Sequence, residues 1–171
     1  MLFRSGTNAI NPWTVTNTGG GAGNVKQTLT ANHGTGNPYG LELSKGAATA
    51  ANTMVNTTNN INATGTAGYV EFWIFTQDLA SPNGWTFQLS PDGGTTWNTR
   101  ASELTGSIHA FQLYHYDLIA AERVGTLKMR FQFAGNATAT PPPKVNIDDI
   151  TVVTTTGSAP VTVTIDRKSV V

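Results

Sequence analysis

The sequence predicts an all-β fold, a jelly-roll β-sandwich of two antiparallel sheets, on three observations. Short stretches rich in β-branched and aromatic residues recur between turn residues, as in Tyr69–Phe75, Trp85–Leu89 and Val145–Val153, the pattern of many short strands. Several alternate with period two: Leu127, Met129, Phe131 and Phe133 interleave with Lys128, Arg130 and Gln132, which places one set on a core face and the other outward. No segment carries a helical period, and Pro91-Asp92-Gly93-Gly94 supplies the turn chemistry of a hairpin.

Taken in order, Gly6–Asn24 is polar and Gly-rich around one apolar point, Pro12-Trp13-Thr14-Val15, and Trp13 is expected under the sandwich edge. Gly19–Gly23 is a loop with no following Lys-Ser/Thr, so it lacks the parts of a phosphate cradle. Val25–Thr30, Tyr39–Leu43 and Thr53–Val55 read as short strands, with turn residues over His33–Pro38 and a polar connection over Thr57–Thr66. Tyr69–Phe75 is apolar on both faces apart from Glu71, as expected of a central strand. Ser81–Gly84 is a turn. Trp85–Leu89 and Thr95–Trp97 flank the hairpin, and Ile108–Leu118 sets Phe111, Leu113 and His115 against Gln112, Tyr114, Tyr116 and Leu118. After Leu127–Phe133 and a loop over Gly135–Pro143 comes Val145–Val153, expected to end the domain. Thr154–Pro160 reads as a linker, and Val161–Ile165 as either the first strand of a following domain or a closing strand of this one.

The domain is thus expected over residues 6–153, with 154–165 as linker and start of a neighbour. Leu2-Phe3-Arg4-Ser5 is what CTC TTC CGA TCT encodes, and Asp166–Val171 is what GAT CGG AAG AGC GTC GTG encodes. Both look like translated sequencing adapters, so residues 1–5 and 166–171 are expected to be non-native ends of an environmental fragment.

Composition excludes several function classes. The 171 residues hold 10 Lys+Arg and 10 Asp+Glu, a formal net charge of zero, which lacks the basic footprint of a nucleic-acid binder or a polybasic membrane anchor. Charged residues are 12%, about half the usual share; Thr, Asn and Gly fill the difference, as in secreted bacterial β-modules. With no cysteine there is no disulfide or thiol chemistry. No apolar run reaches the ~20 residues of a membrane helix. His33, His109 and His115 have no zinc-ligand spacing, there is no Gly-x-Ser-x-Gly elbow, and Glu42, Glu71, Glu103 and Glu122 stand on separate segments. No catalytic residues are assigned.

Two constellations remain. In Val145–Val153, strict alternation puts Asp148 with Ile150 and Val152, and Asp149 with Ile147, Thr151 and Val153. Either way a carboxylate lies beside a core face, where it requires a cation, a metal or backbone donors. One reading is a Ca²⁺ site at Asp148 and Asp149, completed by Asn146 and loop carbonyls; the other is a structural Asp accepting N–H bonds. The second constellation is Tyr69, Glu71 and Trp73, with Lys128 and Arg130 on the polar face of another strand and Tyr114 and Tyr116 as the next candidates. It reads either as an aromatic platform with a polar rim, suited to a glycan, or as core aromatics with Glu71 paired to Arg130 or Lys128. Asp92-Gly93-Gly94 needs no metal, since Asp and Gly serve such turns directly.

The same stretches carry a resemblance. Tyr69–Phe75 resembles the x-L-x-F-W-x-x strand of a broad jelly-roll group, Gln88–Trp97 its V-S-x-D-G-G-x-T-W hairpin and Tyr116-Asp117-Leu118 its v-D-L-s stretch. Thr126–Phe133 is similar to its l-x-l-R-F-x-f strand, and Val145–Val153 to its terminal f-x-I-D-D-I-x-V. The group comprises MAM-like, cleaved-adhesin and choice-of-anchor-type domains and, distantly, jelly-roll carbohydrate-binding modules; the likeness spans Tyr39–Val153. It implies a non-catalytic accessory module of a secreted, extracellular bacterial protein, joined to other domains and binding a glycan or a cell-surface protein. The alternatives are a purely structural spacer or stalk and a glycoside-hydrolase-related sandwich. It also implies structural calcium with Asp148 as ligand, although the N-terminal F-E-x-G segment that supplies further ligands has no counterpart in Arg4–Asn8.

Overall fold

The computed structural model describes residues 9–10, 13–18, 23–28, 33, 40–45, 51–77, 79, 84–103, 110–135, 143–157 and 160–164. Their strands are β1 (Ala9–Ile10), β2 (Trp13–Thr18), β3 (Gly23–Thr28), β4 (Gly40–Lys45), β5 (Ala51–Thr57), β6 (Ala67–Gln77), β7 (Gly84–Ser90), β8 (Asn98–Glu103), β9 (Gln112–Asp117), β10 (Lys128–Gly135), β11 (Lys144–Thr155) and β12 (Pro160–Thr164). They form two sheets, one ordered β1-β2-β5-β10-β7-β8 and the other β3-β4-β11-β6-β9 with β12 added to β11. Every pairing is antiparallel. The chain is a jelly-roll β-sandwich. The first sheet is sheet A and the second sheet B.

Alternation builds the core as the sequence predicts. In β10 and β7, Met129, Phe131 and Phe133 face Leu89, Phe87 and Trp85 across the register, and all six are buried. Phe72 of β6 crosses from sheet B into this cluster, 4.9 Å edge-on from Phe131 and 5.1 Å from Phe87. Such offset and T-shaped pairs contribute about 0.5–1.5 kcal/mol each beyond area burial. Trp13 of β2 is part of the core, 5% exposed and 6.0 Å from Phe131.

The sides of the sandwich need closure, because β8 and β9 are sheet edges. Glu122, in a single 3₁₀ turn at Ala120–Glu122, does this. It is fully buried and accepts from Arg100 Nε of β8 (2.5 Å), Tyr116 Oη of β9 (3.1 Å) and the Ile119 N–H (3.1 Å). Burial and the neighbouring Glu122 carboxylate push the Tyr116 hydroxyl up to about 12.

Two stretches differ from the sequence reading. β11 runs on to Thr155, and Pro160–Thr164 pairs with it, so the stretch read as a linker holds the end of β11 and the start of β12, with Gly157 at φ 89°. In β11, strict alternation fails. A bulge between Asp148 and Thr151 shifts the register with β6, and Asp149 adopts φ 49°. Asp tolerates the left-handed region better than most side chains. The extra residue turns Ile150 and Val152 inward beside Ile147, while Asp148 moves to the outer face with Asn146 and Thr151, the partners of Phe75 and Glu71.

Candidate functional site

The predicted site residues separate onto three surfaces. Tyr69, Glu71 and Trp73 lie on the outer face of sheet B, and Lys128 and Arg130 on the outer face of sheet A. Tyr114 and Tyr116 are register partners of Phe72 and Val70, so they point into the sandwich. Tyr114 stacks 4.8 Å from Phe72, its hydroxyl donates to the Arg100 carbonyl, and burial raises its pKa. These two tyrosines are core, and the expected pairing of Glu71 with Lys128 or Arg130 is replaced by one with His115.

On sheet B the outer face is a salt-bridged, partly covered surface. Asp148 is 4% exposed and accepts the main-chain N–H of His33 at 2.9 Å. His33 Nδ1 lies 3.2 Å from Asp149 Oδ2, and its ring stacks on Trp73 at 3.6 Å and 11°, with Phe111 5.5 Å away edge-on. His33 thus covers one face of Trp73 and ties down both carboxylates. Nearby, Glu42 is 5% exposed and 3.8 Å from Lys144 Nζ. Farther along β6, His115 bridges Glu71 (Nδ1–Oε1 2.8 Å) and Asp117 (Nε2–Oδ1 3.1 Å), with Tyr69 4.8 Å away. The hydrogen bond to Glu71, and secondarily the one to Asp117, raises the His115 pKa.

The fit of a calcium ion at Asp148 and Asp149 can be tested on these donors. Ca²⁺ takes six to eight oxygens. Each carboxylate faces a His33 nitrogen, and among the described residues no three His, Asp or Glu groups gather to hold a metal.

Sheet A presents a different outer face. β10 and β7 send Lys128, Arg130 and Gln132 outward beside Thr86 and Gln88, and β8 adds Thr99 opposite Gln88. Arg130 Nε donates to Gln88 Oε1 (2.5 Å), and Gln88 Nε2 donates to Thr99 Oγ1 (3.0 Å). The guanidinium lies 4.2 Å over the Trp97 ring, a cation–π contact of about 0.5–2 kcal/mol. Burial lowers the Arg130 pKa.

The adjoining hairpin fixes Trp97. Asp92 accepts from Ser90 Oγ, from the Thr95 and Thr96 N–H groups and from Thr96 Oγ1, and the Thr96 and Ser90 bonds hold its carboxyl far below the usual range. Gly93 and Gly94 take φ of 73° and 103°, which favours glycine. Trp97 Nε1 donates to the Gly94 carbonyl at 3.1 Å. The ring therefore stands in a defined place above β10.

Sequence reasoning found Lys128 and Arg130 but missed Trp97 and Gln88. Trp97 reads as the end of a hairpin, and its contact with Arg130 joins residues far apart in the sequence. Gln88 had a signal, as it alternates with core residues as Arg130 does.

The chain matches no family model and no curated protein, whereas solved structures share its fold. TmCBM61, solved in complex with β-1,4-galactotriose, aligns with TM-score 0.56 at 16% identity over 85% of this chain and 90% of its own. The K2 cleaved adhesin domain of Lys-gingipain aligns with TM-score 0.58 at 13% identity, covering 82% of this chain and 88% of that one. The enzymatically active domain of bacteriophage CBA120 tailspike protein 4 aligns with TM-score 0.55 at 14% identity, over 85% of this chain and 20% of that one. The likeness is one of fold, to jelly-roll domains of the carbohydrate-binding-module and cleaved-adhesin kind. No helix among the described residues is long and apolar enough to cross a membrane.

Proposed function

We propose that this chain is a non-catalytic accessory module of a secreted protein and binds carbohydrate through the outer face of sheet A. The observation that carries the reading is the Trp97–Arg130–Gln88–Thr99 chain, an aromatic ring beside pre-aligned amide, hydroxyl and guanidinium groups on an outward sheet face. Sugars offer apolar C–H faces and rims of hydroxyls, which such a mixture complements. The fold is shared with TmCBM61, whose structure holds a galactose trisaccharide. A non-catalytic role is supported by the fold likeness to TmCBM61 and to a cleaved adhesin domain.

Affinity electrophoresis through gels containing soluble polysaccharides tests this. Retardation in at least one gel, lost in Trp97→Ala with an unchanged melting temperature, is the expected result. Unretarded migration in a broad panel, including β-1,4-galactan, would favour the spacer or stalk reading.

A further inference from the structure

We propose that the glycan taken by sheet A is an acidic one, a polymer bearing carboxylate groups, and that Arg130 is the residue that reads them. This rests on the carbohydrate-binding reading above and names its substrate class.

The formal net charge of zero conceals a division by face. The outer face of sheet B holds Glu71 and Asp148 on adjoining strands, with Glu42, Asp117 and Asp149 around them and Lys144 and His115 paired among these acids. The described outward side chains of sheet A include Lys128 and Arg130 and no acid. Neither cation forms an ion pair among the described residues. Asp92 of the adjoining hairpin is engaged by Ser90, Thr95 and Thr96.

Arg130 is also held in a particular way. Its Nε is bound by Gln88 and its plane is backed by Trp97, while its two terminal nitrogens have no partner among the described residues. A planar fork with one edge fixed and the other open is pre-organised for the two oxygens of a carboxylate, and little side-chain entropy is lost when they bind. Burial makes the charge costlier, and an arriving anion offsets that cost, whereas a neutral hydroxyl does so less well. Lys128, one step along the same face, supplies a second, less directional charge. Two cations are too few for the phosphate-tracking surface of a nucleic-acid binder.

The test is affinity electrophoresis and calorimetry with polygalacturonate, its fully methyl-esterified form and neutral β-1,4-galactan, at low and high salt. The expected result is polygalacturonate bound about tenfold or more tighter than the ester, a difference of ~1.4 kcal/mol, with affinity falling as salt rises. Arg130→Gln should remove the preference, Arg130→Lys should restore only part of it, and Lys128→Gln should reduce it less. Equal binding to the ester or to galactan would overturn the acidic class and leave the carbohydrate reading standing. Binding to none of these or of the wider polysaccharide panel would overturn both. If Arg130→Gln does not fold, the wild-type salt dependence and Lys128→Gln decide, and salt-insensitive binding unaffected by Lys128→Gln would overturn the proposal.

Discussion

Each sheet carries a tryptophan on its outer face with a nitrogen-bearing group lying over it. On sheet B the group is the His33 ring, 3.6 Å from Trp73; on sheet A it is the Arg130 guanidinium, 4.2 Å from Trp97. The surroundings make these different devices. His33 is anchored from its other side by Asp148 and Asp149, so its stack closes a surface over a buried carboxylate. Among the described residues Arg130 is hydrogen-bonded through Nε alone, so its stack leaves a fork facing outward. A stacked histidine tied to two carboxylates stabilises the fold; a stacked guanidinium held at Nε keeps charged donors to recognise a ligand.

The largest expected effect is on the sheet B side. Asp148→Ala leaves the His33 N–H without its charged acceptor, and a hydrogen bond to a charged group contributes about 1.5–3 kcal/mol. Urea denaturation should show a loss of about 2 kcal/mol, while the protein that remains folded binds glycan as before. Weakened binding at unchanged stability would instead move the site to sheet B.

Gln88→Ala sharpens the other side. It frees Arg130 to move and removes the bond to Thr99, so glycan affinity should fall about fivefold, near 1 kcal/mol, with little change in melting temperature. Calorimetry and a thermal melt separate the two quantities.

A smaller effect comes from pH. The His115 pKa is raised, first by Glu71 and then by Asp117, so the folded state binds the proton more tightly than the unfolded chain. That stability is fully present below the unfolded histidine value of about 6.5 and is lost as pH rises through the higher folded value. His115→Gln should flatten the pH dependence of the melting temperature, and glycan affinity on sheet A should not follow it. The smallest expected effect is that of chelation. Asp148 and Asp149 already face His33 nitrogens, so EDTA should leave the melting temperature unchanged. A drop of several degrees would restore calcium at this site.

How much of this was legible in the sequence follows from which physical rule governed each part. Core strands β6, β7 and β10 were readable because one face is buried and the period is two. The hairpin was readable because Asp92, Gly93 and Gly94 are chosen by backbone geometry. The face of Asp148 was not, since one left-handed residue at Asp149 reverses everything after it. Nor was the inward direction of Tyr114 and Tyr116, because β9 alternates between two sets of similar polarity, with Leu113 51% exposed on the outside. The final strand was ambiguous because Thr-Val alternation suits a closing strand as well as a new domain. The half of the site on β10 could be read from alternation, whereas Trp97 joins it only through the tertiary fold of the hairpin over β10.

The most direct test sets the two tryptophans against each other. Trp97→Ala and Trp73→Ala would be compared for melting temperature and for glycan affinity on the same polysaccharide. The expected result is a crossed one. Trp97→Ala loses binding and keeps its melting temperature within a few degrees. Trp73→Ala keeps binding and loses about 2 kcal/mol of stability, as a half-buried fraction of a full tryptophan truncation. Binding lost in Trp73→Ala and retained in Trp97→Ala, with both proteins folded, would contradict the assignment of recognition to sheet A.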